Sequence, residues 1–84
     1  MDFTLQLGET VRVRRGLMTT WSVTYAGSPA EGRYSLVVAW SAGHQASSYN
    51  LFLTASTRQI WLERGTIHIH EVSPERVRFR YERT

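Results

Sequence analysis

The chain has 84 residues, no Cys, a formal net charge of +3, and ten cationic side chains that are all Arg. That length sets one small domain spanning 1–84, and the lack of Cys excludes a disulfide framework or a thiolate zinc site as its staple. A chain this short buries only about 60–65% of its unfolded surface, so self-association is the remaining common device for stability. The charge is too modest to announce nucleic-acid binding by itself. No run approaches the roughly 20 apolar residues of a membrane span, and the first residues carry neither a basic nor a long apolar stretch, so a cytoplasmic protein is expected.

Phe3, Leu5 and Leu7 alternate with Thr4 and Gln6, predicting a first strand that ends at Gly8-Glu9. Val11 and Val13 alternate with Thr10, Arg12 and Arg14 in a second. Thr19 to Ala26 alternates again, placing Trp21, Val23 and Tyr25 on one face. Leu17 and Met18 break the period, which leaves the pairing of strands two and three open. Gly27 to Gly32 reads as a loop with a single turn, because no amphipathic stripe follows the Ser28-Pro29-Ala30-Glu31 spacing.

From Tyr34 to Thr57 there is no Asp, Glu, Lys or Arg. Two apolar runs, Tyr34–Trp40 and Tyr49–Thr54, flank Gly43-His44-Gln45-Ala46 and predict a β-hairpin. A charge-free hairpin at a sheet edge invites pairing with another chain, so it belongs mid-sheet or in a subunit contact. A four-residue loop sets Trp40 against Tyr49, Val38 against Leu51 and Leu36 against Leu53. A turn at Ser56-Thr57 then sets Leu53 against Ile60 and Leu51 against Leu62. Arg64-Gly65 sets Leu62 against Ile67 and Ile60 against Ile69. For the last hairpin, turning through Ser73-Pro74-Glu75-Arg76, a bulge or odd loop restores Ile69 to Phe79 and Ile67 to Tyr81. The expected fold is all-β: a small antiparallel sandwich or barrel of seven to eight short strands, with a C-terminal meander from Tyr34 to Glu82.

These registers also dictate the opposite face. One row reads Val37, Phe52, Trp61, His68, Arg80; its neighbour reads Ser35, Thr54, Gln59, His70, Arg78. A solvated face is normally polar throughout, so an apolar patch beside cations requires a cover. A second copy packing on Val37, Ala39, Phe52 and Trp61 gives a non-enzymatic, self-associating interaction module. The N-terminal strands are a second cover, which makes the patch purely structural. The third is an acidic partner such as nucleic acid or another polyanion, or a carbohydrate, held by Trp61, His68, His70, Arg78 and Arg80.

His68 and His70 could share a metal with His44, Glu71 or Glu75, but histidines on a solvated strand are the expected reading. Asp2 is the only Asp, the glutamates fall mainly in turns, and each Gly stands alone, so neither catalysis nor a cofactor is expected.

Overall fold

The computed structural model describes residues 2–15, 19–62 and 65–83. Eight strands follow in chain order: β1 (Asp2–Gln6), β2 (Thr10–Arg15), β3 (Thr19–Ala30), β4 (Arg33–Ala42), β5 (Gln45–Thr54), β6 (Gln59–Leu62), β7 (Gly65–Val72) and β8 (Arg76–Arg83). They form two antiparallel four-stranded sheets, ordered β1-β8-β7-β6 and β2-β3-β4-β5. The chain changes sheet between β1 and β2 and again between β5 and β6, and β1 returns to pair with β8. The order around the molecule is therefore up-and-down, left open at two seams rather than closed into a barrel.

Alternation builds the core. Leu5, Ile67, Ile69, Val77, Phe79 and Tyr81 come from the first sheet; Trp21, Val23, Tyr25, Leu36, Val38 and Leu53 come from the second. All are buried, and at about 25 cal/mol per Å² of apolar surface their burial is the main stabilising term. Phe3 lies opposite Phe79 with ring centroids 5.4 Å apart, and Trp21 opposite Trp40 with centroids 6.4 Å apart. Such tilted aromatic pairs add to what area burial alone supplies.

The C-terminal register matches the expectation. Ile67 faces Tyr81 and Ile69 faces Phe79, with a register shift between Ile69 and Glu71 that keeps both apolar sets inward. Ser73 closes the turn, its N–H donating to the Arg76 carbonyl at 2.8 Å. Strands two and three, whose pairing the sequence leaves open, are antiparallel with Val11 opposite Val23. Leu17 and Met18 lie outside the described residues.

Several expectations are corrected. β1 ends at Gln6, and the exposed Leu7 lies over Gly27, where an added Cβ would come within 2.6 Å of the Leu7 Cδ1. The stretch read as a loop from Gly27 is largely strand. β3 runs to Ala30 through a register shift at Gly27, whose φ of 102° suits glycine, and turns only at Glu31-Gly32.

Within the central hairpin Val38 faces Tyr49, Leu36 faces Leu51 and Tyr34 faces Leu53, two residues from the expected register. The turn is two residues, Gly43-His44, with Gly43 at φ 60°, the Gly-first order of a primed hairpin turn. In the β6–β7 hairpin, likewise, Ile60 faces Ile67 and Leu62 faces Gly65.

The largest correction concerns β5 and β6, which lie in different sheets. The Thr54–Arg58 crossover binds to itself instead of forming a hairpin turn. Thr57 N–H donates to the Thr54 carbonyl at 3.1 Å, and the Arg58 guanidinium donates to the Ala55 carbonyl at 2.9 Å. The C-terminal meander is accordingly three strands, β6-β7-β8, with β4 and β5 in the opposing sheet.

Candidate interaction surface

Splitting the meander breaks the expected apolar row. Val37 and Ala39 are half-buried on β4, where Val37 faces Asn50 and Ala39 faces Ser48. Phe52, 64% exposed, stands on β5 opposite the buried Ser35. Trp61, 74% exposed, stands on β6 in the other sheet, opposite Thr66. No strand-to-strand row joins Phe52 to Trp61, although the two strands that carry them bound the same open seam.

The residues of the alternative reading are brought together more closely. Gln59, His68, Arg80 and Asp2 follow one another in register across β6, β7, β8 and β1. Arg78 lies beside them, opposite Thr4 and Glu71. The cations are matched by carboxylates. Arg76 and Arg78 both approach Glu71, at 3.4 and 3.8 Å, and Arg80 approaches Glu82 at 3.3 Å. His70 Nε2 lies 3.3 Å from Asp2 and His68 Nε2 lies 3.7 Å from Glu82. Exposed pairs of this kind contribute little to stability, and each carboxylate weakens the positive field around its arginine.

The two histidines lean toward different partners, and among the described residues no three His, Asp or Glu side chains stand together as a metal site would require. The carboxylates have structural tasks. Glu9 accepts the Gln6 N–H at 2.6 Å, while Glu71, Glu82 and Asp2 face cations or histidines.

The four sheet edges differ most. β1 and β6 are five and four residues long. β2 carries Arg12, Arg14 and Arg15, and its register shifts between Arg12 and Arg14. Short length, charge and bulges are the devices that keep edge strands from pairing with other chains. β5 has none of them. It runs ten residues, QASSYNLFLT, with no charged residue, no Pro and an unbroken register against β4. The charge-free segment is thus half inside its sheet and half on its rim, since β4 is flanked on both sides and β5 on one.

Tyr49, 40% exposed on the inner side of β5, is a surface residue that the sequence reading missed. The signal for it was present in the uncharged run. Over the same sheet lies an open groove of about 880 Å³, whose lining includes Arg12, Ser22, Ala39, Trp40, Ser41 and Ser48.

No protein-family model, curated protein or solved structure matches the chain. Among the described residues no helix is long and apolar enough to cross a membrane.

Proposed function

We propose that the protein is a non-enzymatic β module whose biochemical role is to associate with copies of itself, and that the contact is built on β5. The observation that carries this reading is the contrast between the edges of one sheet: β2 has an arginine-rich sequence and a bulge, β5 neither charge nor bulge. The exposed Tyr49 and Phe52 give that strand apolar surface on both of its faces. The expected outer-face patch of Val37, Ala39, Phe52 and Trp61 is replaced by a strand edge, with Phe52 as the residue common to both.

The alternative, an acidic or carbohydrate partner on Trp61, His68, His70, Arg78 and Arg80, has weaker support. Both arginines there face a carboxylate on the same sheet, Arg78 at Glu71 and Arg80 at Glu82. Light scattering over a range of concentrations tests the choice. The wild type is expected to exceed the monomer mass and Phe52→Asp to approach it. A wild type that scatters as a monomer, yet binds a polyanion with a strong salt dependence, reverses the ranking.

A further inference from the structure

The hydrogen-bonding phase of β5 specifies how two copies meet, an inference that rests on the self-association just proposed. β4 and β5 are joined by a two-residue turn with Ala42 opposite Gln45. In such a hairpin the pair flanking the turn exchanges both backbone bonds, and bonded and non-bonded pairs alternate from there. Gln45, Ser47, Tyr49, Leu51 and Leu53 therefore bond inward to β4. Ala46, Ser48, Asn50 and Phe52 direct both N–H and C=O off the sheet.

Thr54, next in the outward series, fixes the phase independently. Its N–H donates to Thr57 Oγ1 at 3.2 Å and its carbonyl accepts from Thr57 N–H at 3.1 Å, both on the side away from β4. The crossover thus occupies the last outward position and leaves four consecutive outward residues open.

We propose that β5 pairs antiparallel with β5 of a second copy, about a two-fold axis that passes through Tyr49 and extends the β2-β3-β4-β5 sheet across both chains. This centring is the one in which all four outward residues are used. Ala46 bonds Phe52 of the partner subunit, and Ser48 bonds Asn50 of the partner subunit. Moving the axis to Ser48 leaves Phe52 without a mate among the open residues, and moving it to Asn50 does the same to Ala46. The register also places the bulky Phe52 beside the small Ala46 of the partner subunit.

On the inner face the two Tyr49 rings meet across a non-bonded pair, where Cα atoms stand about 4.5 Å apart and aromatic side chains interact best. A second copy is the fitting occupant because β5 brings no charge to its own mate. The same edge facing β2 of another copy would meet an arginine-rich strand and a broken register.

The native chain has no Cys, so single cysteines report the register cleanly. Under mild oxidation Tyr49→Cys is expected to give mostly covalent dimer, because the paired Cα atoms fall within disulfide reach. Ser47→Cys is expected to give almost none, since its mate lies about 13 Å away along the strand. Amide exchange on the wild type is the second readout. Dilution through the dissociation range should speed exchange at Ala46, Ser48, Asn50 and Phe52 by tenfold or more, while Tyr49 and Leu51 hold. If the wild type is dimeric but Ser48→Cys or Asn50→Cys cross-links faster than Tyr49→Cys, the register is overturned and self-association stands. Open-chain exchange at all four outward amides in a dimeric sample removes β5 from the contact. A wild type that sediments as a monomer at all concentrations overturns both.

Discussion

The Tyr25 hydroxyl, on β3, donates to the backbone carbonyl of Ser73 in the β7–β8 turn, joining the two sheets across 48 residues of chain. The ring is fully buried, so the bond lets a large aromatic sit in the core without stranding its polar tip.

Burial first, and then the neighbouring Tyr34 and Glu75, push the Tyr25 phenol above its ordinary value of about 10. The folded state therefore holds this proton more tightly than the unfolded chain. Its contribution to stability is fully present below pH 10 and is lost as pH rises from there through the folded value. Tyr25→Phe is expected to cost about 1–2 kcal/mol at pH 7 by removing the bond to Ser73. It should also flatten the fall in melting temperature between pH 9 and 11. A wild type and a variant whose melting curves fall in parallel over that range would contradict the assignment.

Gly65 is buried against a ring. A Cβ built there would lie 2.5 Å from the Tyr81 hydroxyl oxygen and 2.6–2.7 Å from two ring carbons. Gly65→Ala should therefore destabilise by about 1–3 kcal/mol, as overpacking does, and in a Tyr81→Ala background most of that cost should vanish. Denaturant titration of the four proteins reads the coupling; additive costs would mean that the ring is not the obstacle.

Alternation revealed which side chains point inward but not which strands are neighbours. Leu36, Val38, Leu53, Ile67, Ile69, Phe79 and Tyr81 are all buried as their parity requires. The β7–β8 register was legible because a strict hairpin would have turned one apolar set to solvent, so the chain needed a bulge. The β4–β5 register was not, because sliding by two residues preserves every face, and only the turn chemistry of Gly43-His44 separates the choices. The β5–β6 crossover was hidden for a related reason. A hairpin and a change of sheet both keep Leu51, Leu53, Ile60 and Leu62 facing the core, and the side-chain and backbone bonds among Thr54, Ser56, Thr57 and Arg58 decide between them. The candidate surface was half legible: the uncharged run marked the strand proposed for the contact, but its position on a rim needed the sheet order.

The matched charges on the β1-β8-β7-β6 face carry their own expectation. Replacing Arg78 and Arg80 by Ala should lower retention on a polyanion column no more than replacing Arg12 and Arg33, because only the total charge has changed. A distinctly larger loss for Arg78→Ala with Arg80→Ala, with a shallower salt dependence, would mark that face as a binding site.

A lysine placed at the open edge addresses the central claim, since edge lysines are the device this strand lacks. Asn50→Lys changes an exposed side chain next to the proposed axis and leaves the core rows untouched. Sedimentation equilibrium on the wild type and this variant is the most direct measurement. The account predicts a wild-type mass near twice the chain mass of 9.7 kDa, falling to 9.7 kDa in Asn50→Lys with an unchanged circular dichroism spectrum. A wild type that sediments at 9.7 kDa over the whole concentration range, or a variant that stays as heavy as the wild type, would contradict it.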